Sequence, residues 1–167
     1  MSDDHDGLVR RILDQNDRYV PGHRPGVGPR PALRLAIVTC MDTRIDVLSA
    51  LGLQPGDAHI LRNAGGVVTD DVLRSLCLSR MVLGTRDVFV VQHTGCGLEK
   101  VSDSVLKDRL MDETGMQPSW VFRGFDDAAT SVRESVEVLR TSPFVAERVS
   151  GFVLDVGTGR LEPVGVA

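Results

Sequence analysis

Short apolar runs that alternate with helix-like segments are the feature that most restricts the fold of this chain. Three runs have the nearly continuous apolar composition of strands buried on both faces, and they cover Leu35–Thr39, Val88–Val91 and Phe152–Val156. A weaker fourth run covers Ala58–Leu61. Strands that alternate with helices along a chain predict an α/β fold with a mainly parallel central β-sheet flanked by helices.

Two amphipathic helices are predicted between and after these strands. The first begins near Thr69, where Asp70 and Asp71 suit the positive end of a helix, and it ends by Gly84. The second covers about Asp126 to Arg140. Each has an apolar stripe, so we expect both to pack on the sheet.

The N-terminal part of the chain differs from the rest in composition. From Leu8 to Val20, apolar residues recur near helical spacing and predict an amphipathic arm whose apolar face needs a partner. The prolines and glycines of Pro21–Pro31 predict a connector without regular structure. We therefore expect an N-terminal helical arm and connector over residues 1–33, and a single α/β domain over residues 34–167.

The balance of charged and apolar residues excludes several classes of function. Hydrophobic residues make up 42% of the chain and charged residues 25%, as in ordinary globular proteins. The formal net charge of -4 lacks the basic excess that nucleic-acid binding requires. No apolar run follows the acidic N-terminus, so neither a signal peptide nor a membrane span is expected. The three cysteines are an odd number and are spread along the chain, which does not resemble a disulfide framework. Together with the lack of an expected signal peptide or membrane span, this predicts a cytoplasmic protein.

Two polar segments directly follow predicted strands. The first, after Leu35–Thr39, contains Cys40, and the second, after Val88–Val91, contains His93 and Cys96. In open α/β sheets, ligands bind in the crevice beyond the carboxyl ends of the strands, so these side chains are expected to converge there. Two thiolates and one imidazole suit zinc by softness and geometry. Three protein ligands leave one coordination position open.

Asp42 and Arg44 lie in the same segment as Cys40. An ion pair between them is expected, since a guanidinium matches a carboxylate in geometry and charge. Asp42 could instead bind the zinc, and both arrangements fit the spacing. A structural zinc site is usually closed by four Cys or His ligands, and no fourth is evident in the sequence.

The C-x-D-x-R and H-x-x-C-G segments, in this order, resemble those of the β-class carbonic anhydrases. Pro55–Ala58 and Arg62–Gly65 are similar to that family's P-G-[DE]-A and R-N-A-G segments, and the short chain resembles a compact bacterial form. The resemblance implies a zinc lyase that reversibly hydrates carbon dioxide to bicarbonate and a proton by zinc-bound hydroxide.

The resemblance also implies roles for particular residues. Cys40, His93 and Cys96 would bind one zinc ion per subunit, with Asp42 and Arg44 as the catalytic pair beside it. Asp42 would join the metal ligands only in a closed state of the site. In the open state it would orient the hydroxide rather than abstract a proton.

Further residues are expected to line or support the substrate pocket. His59 occupies a position where the family often carries an aromatic residue, although a surface histidine fits equally well. Asn63, Gly65 and Gly66 belong to the loop that lies beside the catalytic pair in the family, and the glycines permit a tight turn or a close backbone approach. Arg62 is interpreted as a solvated or capping charge and is not expected to be catalytic.

Two other functions fit the same residues. One is a hydrolase of carbon disulfide or carbonyl sulfide on the same metal site, and the other is a zinc-binding regulatory protein without turnover. The expected partner is a small-molecule substrate, carbon dioxide or bicarbonate, and neither nucleic acid nor a membrane is expected. The resemblance further implies a homodimer, or two dimers paired into a tetramer. The amphipathic arm fits that assembly, because the connector could let it reach a second subunit.

Overall fold

The computed structural model describes residues 2–23, 28–145 and 148–165. Five helices and five strands lie in these ranges. In chain order they are α1 (Ser2–Tyr19), β1 (Leu35–Cys40), α2 (Val47–Leu51), β2 (Ala58–Asn63), α3 (Asp70–Met81), β3 (Asp87–His93), α4 (Asp103–Thr114), α5 (Ala128–Thr141), β4 (Arg148–Leu154) and β5 (Leu161–Val164). Short 3-10 turns cover Val20–Gly22 and Ala64–Gly66.

The strands form one sheet in the order β2-β1-β3-β4-β5. The first four are parallel, and β5 is antiparallel to β4. This confirms the predicted α/β class with a mainly parallel sheet. Cys40 lies opposite Asn63 on β2, and His93 lies opposite Leu154 on β4. The carboxyl ends of β1 and β3 therefore meet at one edge of the sheet.

The core lies on both faces of the sheet, as the continuous apolar runs predicted. Every residue of β1 is buried. One face packs against α3 and α5, and its buried residues include Ala36, Val38, Leu76, Val90, Val132, Val136 and Leu139. The other face is covered by α2 and the loops around it, and its buried residues include Leu35, Ile37, Ile45, Val47, Val91 and Leu154.

Side-chain caps set the starts of α3 and α5. The Thr69 hydroxyl accepts a hydrogen bond from the Val72 amide, and Asp70 and Asp71 occupy the first turn of α3. The Asp127 carboxylate accepts one from the Thr130 amide at 2.7 Å. These caps satisfy amides that have no partner within the helix, so both helices begin within about two residues of the predicted positions.

The structure differs from the predicted elements at several points. Strand β4 covers Arg148–Leu154 rather than the run to Val156, because the Asp155 carboxylate accepts the amides of Gly157 and Thr158 and so starts a turn. The connector has a 3-10 turn at its start, where proline is tolerated in the first helical position. Its residues 24–27 lie outside the described ranges.

Helix α1 buries none of its described side chains. Every residue from His5 to Tyr19 is exposed, including the apolar Leu8, Ile12 and Leu13. The predicted amphipathic arm is therefore a helix whose apolar face has no cover from the part of its own chain that the structure describes. No helix among the described residues has both the length and the apolar character needed to cross a membrane.

Candidate metal centre

Cys40, His93 and Cys96 come together at the carboxyl edge of the sheet. Cys40 ends β1, His93 ends β3, and Cys96 lies in the loop that follows β3. One ligand atom from each residue lies within 4.8 Å of the other two, and all three residues are buried. Chain topology thus assembles two sulfurs and an imidazole from the end of β1, the end of β3 and the loop after β3, as the sequence predicted.

The geometry of this cluster fits a tetrahedral metal ion. The two Sγ atoms are 3.9 Å apart. A tetrahedral zinc with Zn–S bonds of about 2.3 Å would hold them about 3.8 Å apart. No rearrangement of the two strands is needed to reach that separation.

The tautomer and the surroundings of the His93 imidazole also suit a metal ligand. Its Nδ1 lies 3.0 Å from the Thr94 carbonyl oxygen, which can only accept, so Nδ1 carries the proton and donates it. Its Nε2 is buried and has no hydrogen-bond partner among the described residues. A buried acceptor without a partner is costly, and a metal ion between Nε2 and the sulfurs would satisfy it.

The thiols lie in surroundings that need a counter-charge. Burial raises the pKa of the Cys96 thiol, because the thiolate loses its water, and the Leu98 amide that donates to Sγ at 3.5 Å only partly opposes this. A divalent cation supplies the missing positive charge and removes the proton outright. The donor set, the spacing and the unpartnered nitrogen therefore all fit zinc.

Asp42 and Arg44 form the expected ion pair beside the cluster. Arg44 Nε donates to Asp42 Oδ1 at 2.9 Å, and Arg44 Nη2 donates to Oδ2 at 2.7 Å. The Arg44 amide also donates to Oδ1 at 2.9 Å. These bonds hold the pKa of Asp42 far below its usual value, the side-chain bonds from Arg44 being the largest cause. Asp42 is therefore an ionised carboxylate throughout the neutral range.

The ion pair is directed at the cluster. Asp42 Oδ2 lies 3.8 Å from His93 Nε2. Arg44 Nη2 donates a further bond, at 2.9 Å, to the carbonyl of Gly95, which lies in the loop between His93 and Cys96. The carboxylate is thus held next to the unpartnered His93 Nε2.

Asn63 ends β2 opposite Cys40, and Gly65 and Gly66 lie in the 3-10 turn that follows it. Asn63 Nδ2 donates to the Val67 carbonyl, and its Oδ1 accepts the Val67 amide, so this side chain closes the loop. Gly65 and Gly66 have φ values of 78° and 63°. These positions are consistent with the expected supporting role.

His59 is not brought to the cluster of its own chain. It lies opposite Ala36 near the amino end of β2, whereas Cys40 lies opposite Asn63 at the other end. Its ring contacts the Ser79 hydroxyl at 2.7 Å and the Pro29 carbonyl at 2.9 Å. Its role at a substrate pocket stays a prediction.

Arg62 is a residue whose contacts the sequence did not reveal. The sequence indicated a solvated or capping charge. Its guanidinium instead donates three hydrogen bonds to backbone carbonyls between the last residue of β1 and Ile45. The only sequence signal was its place in the R-N-A-G segment. The reach of a long side chain across two strands is not encoded in local spacing.

Comparison with known proteins identifies relatives of this chain. A family model described as carbonic anhydrase matches residues 35–129. Beta-carbonic anhydrase 1 of Mycobacterium tuberculosis (strain ATCC 25618 / H37Rv) is 44% identical over 154 residues, which cover 91% of this chain and 94% of that protein. A carbon disulfide hydrolase of Acidianus sp. (strain A1-3) is 34% identical over 155 residues, covering 77% of this chain and 76% of that protein.

A solved structure agrees with these relatives. The crystal structure of carbonic anhydrase from Streptococcus mutans matches with a TM-score of 0.88 and 42% identity, covering 94% of this chain and 97% of that chain. Sequence, fold and the residues at the carboxyl edge of the sheet agree in pointing to one family. The chain belongs to the β-carbonic anhydrase family.

Proposed function

We propose that this chain catalyses the reversible hydration of carbon dioxide to bicarbonate and a proton, with one zinc ion per subunit held by Cys40, His93 and Cys96. The observation that carries the proposal is a buried Cys-His-Cys cluster with an ionised carboxylate 3.8 Å from the unpartnered His93 Nε2. The relative from Mycobacterium tuberculosis, which is 44% identical, bears the name of this activity.

Cys40, His93 and Cys96 would hold the zinc ion. When bound, zinc would lower the pKa of a coordinated water and so supply hydroxide as the nucleophile. The protein's part is to bind the ion, exclude competing ligands and orient the water.

Asp42 orients the attacking oxygen rather than removing its proton. Because its pKa lies far below neutrality, the carboxylate is too weak a base to remove a proton efficiently at neutral pH. It accepts a hydrogen bond instead, and its three bonds from Arg44 keep its oxygens in place. A fixed acceptor beside the metal position turns the attacking oxygen toward the substrate.

Asp42→Asn tests this assignment. The amide has nearly the same shape but no charge, so the pair with Arg44 is lost and kcat/KM for carbon dioxide hydration is expected to fall by about 10- to 100-fold. Zinc content, measured on the same preparations, is expected to stay at one per chain. Asp71→Asn is the matched control, because Asp71 pairs with Arg74 on the exposed face of α3. Full activity in Asp42→Asn would remove Asp42 from the mechanism.

Carbon disulfide is the alternative substrate, since relatives that bear the name carbon disulfide hydrolase share the fold. The Acidianus relative is 34% identical, against 44% for the relative named beta-carbonic anhydrase 1, so carbon dioxide is the favoured substrate. Both activities are to be assayed on one zinc-loaded preparation. Sulfide release that exceeds carbon dioxide hydration would reverse the choice.

The thiols also bear on the compartment. Two cysteines with Sγ atoms 3.9 Å apart bind a metal only while they stay reduced. We propose a cytoplasmic location for this reason, because glutathione and thioredoxin keep thiols reduced there.

The assembly we propose is a homodimer, with pairing of dimers into a tetramer as the larger form. The support is the uncovered apolar face of α1, whose residues Leu8 and Ile12 are 52% and 60% exposed. In proteins a helix gains most of its stability from packing of its apolar face rather than from its own hydrogen bonds. A second copy of the chain offers that surface.

A further inference from the structure

Arg62 binds the backbone of the segment that carries both a metal ligand and the catalytic carboxylate. It lies on β2, opposite Thr39. Its Nε donates to the Cys40 carbonyl at 2.9 Å, its Nη2 to the Asp42 carbonyl at 2.7 Å and its Nη1 to the Ile45 carbonyl at 3.2 Å. One side chain thus holds the beginning, the middle and the end of residues 40–45.

The chemistry of the guanidinium suits this task. It is planar, always charged, and presents several N–H donors in fixed directions with no acceptor. Among the residues that the structure describes, no carboxylate forms an ion pair with Arg62. Its donors are therefore directed at the carbonyls, and a lysine, whose charge is a single point, cannot reach all three in the same way.

The contact with Asp42 connects the backbone to the reacting site. The carbonyl that Arg62 binds belongs to the residue whose carboxylate lies 3.8 Å from His93 Nε2. A rotation of that peptide group would displace the carboxylate. Arg44 fixes the carboxylate from the other side, and its bond to Gly95 connects residues 40–45 to the loop that contains Cys96.

We propose that Arg62 is a positioning residue of the metal centre: it holds residues 40–45 in the conformation that sets the Cys40 sulfur and the Asp42 carboxylate, without touching the substrate. Its effect on turnover rests on the proposed function. Its effect on the conformation of residues 40–45 and on zinc affinity does not.

A cavity beside Arg62 makes a chemical test practical. The side chain lines a space of about 540 Å³ together with Leu61, Asn63 and Thr69. Small molecules in solution therefore reach the position of the guanidinium. Arg62→Ala would leave room there for ethylguanidinium, a soluble cation with the same donors.

The experiment compares Arg62→Lys and Arg62→Ala with Arg140→Lys. Arg140 is the matched control, because its Nη2 donates to the Val149 carbonyl at 2.9 Å, away from the metal centre. Hydrogen–deuterium exchange of residues 41–46 is measured on zinc-free protein, and zinc affinity is measured by competition with a chelator. Both Arg62 variants are expected to exchange faster in this segment and to bind zinc about tenfold more weakly.

Turnover of the zinc-loaded protein gives the third readout. In both Arg62 variants kcat for carbon dioxide hydration is expected to fall by about 10- to 100-fold, with KM changed by less than about twofold, because geometry and not substrate binding is disturbed. Ethylguanidinium is expected to restore part of the lost kcat of Arg62→Ala and to leave the kcat of Arg140→Lys unchanged. The Lys variant keeps the test valid if the Ala variant does not fold.

Two results would overturn the proposal. The first is that Arg62→Lys shows the same hydrogen–deuterium exchange of residues 41–46 and the same zinc affinity as Arg140→Lys. The second is faster exchange with unchanged kcat, which would make Arg62 a purely structural contact. If the native chain hydrates no carbon dioxide, the proposed function fails, and the zinc-free exchange and the zinc affinity still decide the role of Arg62.

Discussion

Gly66 lies directly against the backbone that leads into the first metal ligand. A Cβ at this position would lie 2.8 Å from the Cys40 amide nitrogen and 2.8 Å from the Thr39 carbonyl carbon. Both atoms belong to a central strand and cannot move aside as a flexible side chain would. The φ of +63° is a second obstacle to any other residue.

Gly66→Ala is therefore expected to destabilise the fold and weaken the metal site together. Overpacking against backbone costs about 1–3 kcal/mol, and the left-handed conformation adds about 1 kcal/mol. Urea unfolding and zinc content measure the two effects. Gly115→Ala is the control, since its φ is +74° and no atom lies within 4 Å of the added methyl. If both variants lost the same amount of stability and of zinc content, backbone conformation alone would explain the need for glycine at position 66.

The metal ligands and the ion pair were predictable from sequence, whereas the contacts that fix them were not. Cys40 and His93 each follow an apolar run, and parallel strands bring such positions to one edge. Arg62 carries no comparable signal, because its three acceptors are carbonyls that every residue has. The closeness of Gly66 to Thr39 likewise depends on packing between a loop and a strand, although the glycine itself indicated a close approach.

At the level of elements, an ion pair joins the amino ends of β3 and β4. Arg148 Nε and Nη2 donate to the two carboxylate oxygens of Asp87, each at 2.6 Å. The two residues lie directly opposite in the parallel ladder. The pKa of Asp87 is lowered, chiefly by the hydrogen bonds from Arg148.

This pair makes a small contribution to stability that depends on pH. An aspartate whose pKa is lowered by folding stabilises the fold above its unfolded pKa of about 3.9, and the contribution is lost as pH falls through the lower folded value. Asp87→Asn is expected to reduce the free energy of unfolding by about 0.5–1 kcal/mol at neutral pH, because Arg148 is largely exposed. The difference from the native chain is expected to shrink below about pH 4.

Urea unfolding at a series of pH values measures this difference. Asp71→Asn serves as the comparison, since its pair with Arg74 is more than 70% exposed on both sides and is expected to contribute less. A difference between Asp87→Asn and the native chain that stays constant down to strongly acid pH would contradict the assignment to the ion pair.

Elements with a sustained apolar pattern in the sequence were predictable, and those without such a pattern were not. Helix α4 buries no residue, so its sequence has no apolar stripe to detect. Strand β5 contains Pro163, which argues against a central strand, and β5 is indeed at the edge of the sheet. Helix α2 has five residues, fewer than periodicity can identify.

At the scale of the whole molecule, the apolar face of α1 is a surface that the described part of the chain leaves exposed. An apolar helix face exposed to water favours association, and the proposed dimer would cover it. The sequence predicted the amphipathic arm from its spacing. It could not specify the partner surface, because complementarity between two surfaces is not a local property.

Ile12→Glu is expected to shift the assembly toward the monomer. A buried charge without a partner is strongly unfavourable at an interface, so the dissociation constant of the dimer is expected to rise by about 100-fold or more. Sedimentation velocity over a range of protein concentrations measures it. Arg18→Gln, which makes the same change in net charge on the same helix, is expected to leave the assembly unchanged. A monomeric native chain would contradict the proposed dimer.

The candidate metal centre takes Cys40 from β1 and His93 from the neighbouring β3, with Thr39 opposite Val91 in the ladder that joins these strands. A slip of one residue between β1 and β3 would displace Cys40 by about 3.3 Å, which is close to the entire spacing of the ligand atoms. A chain paired in the wrong register would therefore have no site for zinc. If the proposed zinc ion binds, it would stabilise only the chain in which β1 and β3 are correctly aligned, because a ligand stabilises the state that it binds.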